Sequence, residues 1–191
     1  TSGDLVRYAS ATSLTGPVAL SSGAGAGDVE FQTTLDGAQT LDITAGTGSV
    51  LFTGLVGNAT PLGAITIASA ANVTGNGVRS SRFWQTAGTG TTTLNLGDFT
   101  AGTDQALGTS GADGVVVNAN AITVNHRVDT AASGPVTLNA TAGLLTIGAS
   151  GDILSDGIVT LTGSGGISTA GDVTTSGDLV RYASATSLTG P

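Results

Sequence analysis

The sequence predicts an all-β chain wound as a parallel β-helix, a β-solenoid, and three observations predict it. Pairs of aliphatic residues alternating with polar or small ones recur along the chain, which places apolar side chains on one face of short strands. From Val136 onward these runs begin at 136, 145, 153, 159, 167, 173 and 179, only six to nine residues apart. The segment TSGDLVRYASATSLTGP occurs twice without a change, first from Thr1 to Pro17 and again from Thr175 to Pro191.

The runs can be taken in order. Val18 with Leu20, Val29 with Phe31, Leu41 with Ile43, and Val50 with Phe52 each set two apolar side chains on one face. Ile65 with Ile67, Leu94 with Leu96, Val115 with Val117, and Ile122 with Val124 continue the series. Val136 with Leu138, Leu145 with Ile147, Ile153, Val159 with Leu161, Ile167, Val173 and Leu179 carry it to the end. Nowhere is there a sustained i, i+3, i+4, i+7 apolar stripe, and Gly or a β-branched residue interrupts nearly every window of about ten residues, so no helix is expected.

Spacing selects the architecture. Hairpin strands of ordinary length would recur about every 8 to 12 residues, with Asn-Gly or Asp-Gly turns. Steps of six leave room for a strand of three or four residues and a corner. The expectation is a coil of roughly 20 residues whose strands pair in parallel with those one coil on. On that basis residues 1–174 make about eight or nine coils and advance roughly 40 Å. A single coil buries only two or three aliphatic side chains, about 1.5 to 3 kcal/mol each, so it depends on its neighbours for stability. Residues 1–174 read as one full tandem unit and residues 175–191 as the start of the next. Neither end offers a capping helix or a charged terminal stretch, so continuation is expected, within one long chain or by end-on docking of copies.

Composition narrows the function classes. Gly accounts for 31 of the 191 residues and charged residues for 9%, against typical shares of roughly 7% and 25%. Low charge with 39% hydrophobic residues argues for a folded chain. Cys is absent, which removes disulfides and thiolate metal sites. Lys is absent too, and five Arg face 13 acids for a net charge of −8. Such a surface repels phosphate backbones and anionic headgroups, so neither nucleic acid nor a membrane surface is an expected partner. No apolar run of about 18 residues is present to insert in a bilayer.

The segments GPVTLNATAGLLTIGASGDILSDGIVTLTGSGGISTAGD (134–172) and LDGAQTLDITAGTGSVLFTGLVG (35–57) resemble the repeat regions of filamentous haemagglutinin-like large exoproteins and related giant bacterial β-strand-repeat surface adhesins. The resemblance implies a right-handed helix, a cell-surface or extracellular location, and a role as stalk, adhesin or matrix filament. The long, uniform period departs from that family's pattern and favours a shaft over a receptor-binding part.

The chemistry-bearing residues are sparse, and the expectation is no catalytic residue, no bound cofactor and no enzyme activity. His126 stands beside Arg127 and Asp129, and Asp152 and Asp156 are candidates for the paired carboxylates of a polysaccharide-cleaving β-helix, without a basic residue in their segment. Calcium is the better contender, because Gly-rich corners end in Asp28, Asp152 and Asp172 and hard cations favour carboxylate and carbonyl oxygens. None of these corners matches the calcium β-roll nonapeptide, and ordinary Asp turns serve equally well. Asn118, Asn120, Asn125 and Asn139 are candidates for stacked amide ladders. The sequons at Asn58, Asn72 and Asn139 are expected by chance at this Thr content.

VRSSRFWQT (78–86) breaks the rhythm with the chain's one Trp. Aromatic residues and Arg are enriched at contact hot spots, so Arg79, Arg82, Phe83 and Trp84 are expected to bulge from the shaft and grip a neighbouring copy, the arginines meeting acids such as Asp98 or Asp104. A Trp closing one end of the core is the competing reading. The leading function is a structural filament whose partners are other copies, end to end and bundled side by side. A carbohydrate- or ice-binding face and a β-helix enzyme follow in that order.

Overall fold

The computed structural model describes residues 3–100 and 103–190, and among them there are 23 strands and no helix. Every ladder between strands is parallel. Thr1, Ser2 and Pro191 of the two duplicated segments lie outside the described residues. The chain is a β-solenoid of about eight coils with three faces, visited in a fixed order.

The first face is a nine-stranded parallel sheet running from Val6–Tyr8 through Val29–Phe31, Val50–Phe52 and onward to Thr186–Leu188. The second begins with Thr12–Ser13 against Leu35–Asp36, continues through the single bridges of Val56, and ends at Val173–Thr175. The third runs from Val18–Ser21 and Leu41–Thr44 to Val159–Gly163 and Val180–Tyr182. One strand joins two faces. Val78–Gln85 pairs through Val78, Arg79 and Ser80 with Leu107–Thr109 on the second face, and through Phe83, Trp84 and Gln85 with Val115–Ala119 on the third.

Strict alternation sends every other side chain into the prism. Val29 and Phe31, Leu41 and Ile43, Ile122 and Val124, Val136 and Leu138, and Val159 and Leu161 are all 0–1% exposed and belong to one core. Identical or similar residues stack in register, as Val115 on Val136 on Val159. Tyr8, Phe31 and Phe52 form a column of rings with centroids 4.8 and 5.7 Å apart. This is the geometry a parallel stack permits and a hairpin does not, because each residue meets its own equivalent one coil on.

Polar residues close the corners. The last inward position of the second face is a hydroxyl in successive coils, Ser80, Thr109, Thr130 and Ser155, all nearly buried. Ser80 donates to the Arg82 carbonyl (3.0 Å) and Thr130 to that of Gly134, which satisfies carbonyls where the chain leaves the ladder. Two amide ladders run along the shaft. Asn139 donates to Asn118 (3.0 Å) on the third face; on the first, Asn125 donates to Asn95 (2.9 Å), which donates to Asn76 (3.0 Å). Asn120 takes no part in either ladder. At Gly114, φ is +59° and an added Cβ would strike the Pro135 backbone of the next coil, so the corner needs glycine.

The coil is longer and less regular than the expected length of roughly 20 residues. First-face partners are separated by 23 positions at Arg7 and Glu30, by 19 at Asn76 and Asn95, and by 30 at Asn95 and Asn125. The longest coil extrudes a loop closed by the antiparallel bridge of Gly97 with Gln105 and seated on Phe99, which is 5% exposed. Leu96, at the root of that loop, and Leu179, before a strand, are exposed and not inward partners. The inward partner of Leu94 is Thr92, whose hydroxyl donates to the buried Gln85 Oε1 (2.6 Å).

The register sets opposite costs for neighbouring residues. Ile122→Ala, in the core, is expected to lower the unfolding free energy by about 2 to 5 kcal/mol, and Thr123→Ala, on the outer surface, to stay within about 0.5 kcal/mol. Urea unfolding of the two variants measures this, and equal losses would contradict the inward and outward assignment.

Candidate functional site

The Arg79–Trp84 stretch gathers two arginines, a phenylalanine and the tryptophan within six residues. It does not bulge. Val78–Gln85 is a long strand paired on both sides, and its inward side chains, Val78, Ser80, Phe83 and Gln85, are buried. Phe83 is 1% exposed, so the expectation that it touches a neighbouring copy is corrected: the turn between the two faces sends it inward. Trp84 lies outward between Thr66 and Val116 on the third face, and so does not close an end of the core.

The outward residues form two brackets. The Arg82 guanidinium lies over the Trp84 ring, 4.1 Å from its centroid, with Nη1 3.6 Å from Asp113 Oδ2 and Nη2 donating to Thr66 Oγ1 (3.1 Å). Trp84 Nε1 donates to the Asp113 carbonyl (3.3 Å). The acid at Arg82 is therefore Asp113, not Asp98 or Asp104. Arg79 stacks on Phe99 (3.9 Å) and donates to the Thr103 carbonyl (3.0 Å), anchoring the extruded loop, while Asp104 Oδ1 accepts from the Phe99 N–H (3.0 Å). Arginine on an aromatic face gains about 0.5 to 2 kcal/mol, so both brackets are preorganised surfaces.

The carboxylates work as corner braces between coils. Asp28 Oδ1 accepts from the Ser49 N–H (2.7 Å), Asp36 Oδ1 from Ala59 (2.7 Å) and Thr60 (3.0 Å), and Asp152 Oδ1 from Asp172 (2.9 Å). Asp172 itself is exposed, at the same corner. Among the described residues no three of His, Asp or Glu converge as a metal-ligand group; the calcium candidates Asp28 and Asp152 occupy separate corners. Asp152 and Asp156 stand at opposite ends of the strand Ile153–Ser155, one at each corner, rather than as a pair. Asp129 is held by Arg127 Nη2 (2.7 Å), not by His126.

Two grooves run along the second face. One, of ≈ 230 Å³, is lined by Arg79, Ser80, Gln105, Asp129 and Thr130. The other, of ≈ 500 Å³, is lined by Asp129, Leu154, Asp156, Thr174 and Ser176. Thr130 and Ser155, which also line them, have their hydroxyls engaged at the corner, so they are held as structure rather than poised as nucleophiles.

A feature of the first face escapes the sequence. Thr74, Thr93, Thr123, Thr146 and Ser168 occupy one outward register column. Their spacing in the chain varies with coil length, which hides the column until the ladders are known. Comparison with protein-family models, curated proteins and solved structures gives no match to this chain.

Two acids carry a pH signature. Hydrogen bonding from Arg7 (2.7 Å), helped by Gln32, holds the Glu30 carboxyl below its usual value. The Ser133 N–H (2.7 Å), with the Ser176 hydroxyl, does the same for Asp156. A lowered carboxylate pKa contributes stability that is present above the ordinary range near about 4 and lost as pH falls through the folded value. The melting temperature is expected to be level from neutral pH to about 5 and to drop below about 4. The variant carrying Glu30→Gln and Asp156→Asn should show a shallower drop; an unchanged acid limb would remove these two groups from the account.

Proposed function

We propose that the chain is a structural repeat unit of an extracellular fibre, a stalk or matrix filament extended by stacking coil on coil. The observation that carries the reading is the unbroken parallel register of the first face from Val6 to Leu188, combined with the exact recurrence of the Thr1–Pro17 segment at Thr175–Pro191. A coil that pairs in parallel on both sides is a module that propagates. The Thr-, Ser- and Gly-rich composition and the resemblance to exoprotein repeats support a place at or beyond the cell surface. Copies meet end to end, and bundling uses the Arg82–Trp84 bracket, whose ring and guanidinium are partly exposed on the third face.

A second reading has one observation in its favour. The hydroxyl column of the first face repeats at the strand spacing of about 4.8 Å and offers a flat donor and acceptor row to a carbohydrate surface. Thr93→Arg would abolish retention on insoluble polysaccharide under this reading and leave fibre formation intact.

Length tests the leading reading. Small-angle scattering from chains of one, two and three units should show the longest dimension growing by about 37 Å per unit, at about 4.8 Å per coil. Growth as the cube root of mass would rule the fibre out. Arg82→Ala with Trp84→Ala should reduce the diameter of bundles in electron micrographs without changing that growth; bundles of unchanged diameter would remove the bracket from the lateral contact.

A further inference from the structure

The two copies of the duplicated segment do not lie on the same faces. Val6–Tyr8 is the first strand of the first face, paired with Val29–Phe31. Its identical copy, Val180–Tyr182, is on the third face, paired with Val159–Leu161. Thr12 and Ser13 lie on the second face, against Leu35 and Asp36. Their copies Thr186 and Ser187 lie on the first, against Ile167 and Ser168. Both strands of the segment have moved by the same amount.

Local structure nevertheless repeats. Val6 and Tyr8 pack against the core, as Val180 does, with the intervening Arg outward in both copies. Thr12 Oγ1 donates to the Ser10 carbonyl (3.0 Å) and Thr186 Oγ1 to the Ser184 carbonyl (2.9 Å). Gly3 and Gly177 both take positive φ, +92° and +118°, at two different corners of the prism. The segment keeps its first strand, its glycine corner and its inward valine on a different face.

The count explains the shift. From Val6–Tyr8 to Val180–Tyr182 the chain visits 22 strands; the isolated Val56 adds one face position and the two-faced Val78–Gln85 a second, so 23 steps separate the copies. At three steps per coil, one unit is seven and two-thirds coils. We infer that each tandem unit is turned by two-thirds of a revolution relative to the one before it, so that three units, a whole number of coils, restore the original orientation. The inference rests on the tandem reading above and deepens it.

The consequence is a fibre with a three-fold screw rather than a ribbon with distinct sides. Each unit's Arg82–Trp84 bracket points in one of three directions in turn, and returns to a given side after about 110 Å, at about 4.8 Å per coil. The excess negative charge of each unit is distributed around the axis in the same way, so no acidic stripe runs along the shaft. A second copy of this chain can therefore be met on any of the three sides, which suits packing into three-dimensional bundles.

Disulfide pairing within the single chain tests the turn directly. In-register partners lie about 4.8 Å apart, within the roughly 4.4 to 6.8 Å Cα range of a disulfide. Thr160→Cys with Arg181→Cys should close an intramolecular bridge on mild oxidation, read by mass as loss of two hydrogens. Ser168→Cys with Arg181→Cys would close only if the second copy kept the face of the first. Arg7→Cys with Glu30→Cys reports first-copy pairing and folding in the same assay. Bridging in the Thr160 variant and not in the Ser168 variant supports the turn; the reverse, or bridging in neither alongside the Arg7–Glu30 bridge, overturns it. The result is read in a single chain, so its failure is separate from a failure of the fibre reading, which linear growth in scattering decides.

Discussion

The parallel ladder between one coil and the next is the interaction on which the rest of this molecule depends. A coil by itself encloses only a few aliphatic side chains, and its backbone groups point along the axis with nothing to meet them. Stacking pairs those N–H and C=O groups and buries the ring of Val, Ile, Leu and Phe residues on both sides at once. Since each residue faces its own equivalent, like residues gather in columns: valine on valine at 115, 136 and 159, asparagine on asparagine at 95 and 125. Composition follows from this constraint. Small and β-branched residues stack without crowding, whereas a column of like charges would repel.

Variation is pushed to the corners. Short and long coils share one sheet because the additional residues leave at a corner and return in register, as the loop closed by Gly97 and Gln105 does. Aspartates there accept N–H groups from an adjacent coil, Asp28 from Ser49 and Asp36 from Ala59 and Thr60. Many of the acids that give the chain its negative charge are structural, Arg79 and Arg82 stack on aromatic rings, and Arg7 joins adjacent coils through Glu30. The outward surface of the first face presents hydroxyl groups in register, repeated at the strand spacing.

Strand type and solenoid architecture are legible in the sequence because period-two alternation and six-residue steps have no comparable alternative explanation. Less legible are strands with a single aliphatic residue, such as Leu35–Asp36 and Val128–Thr130, which alternation over two residues cannot reveal. The Val78–Gln85 strand reads as an interruption because its polar residues mask an inward set of Val78, Ser80, Phe83 and Gln85. Composition singles out Arg82 and Trp84, which lie outward, but cannot show that Phe83 points the other way. Register columns such as Thr74, Thr93, Thr123 and Thr146 depend on unequal coil lengths, and those are settled by packing between coils rather than by any local signal.

A sequence can repeat while its setting does not. The segment shared by both ends keeps its corner hydrogen bond and its inward valine on different faces, so the unit need not contain a whole number of coils. The most direct test of the central claim is X-ray diffraction from an oriented fibre of tandem units. Coils stacked in parallel along the axis predict a sharp reflection near about 4.8 Å on the meridian. The same spacing on the equator, from strands running along the fibre, would contradict the account.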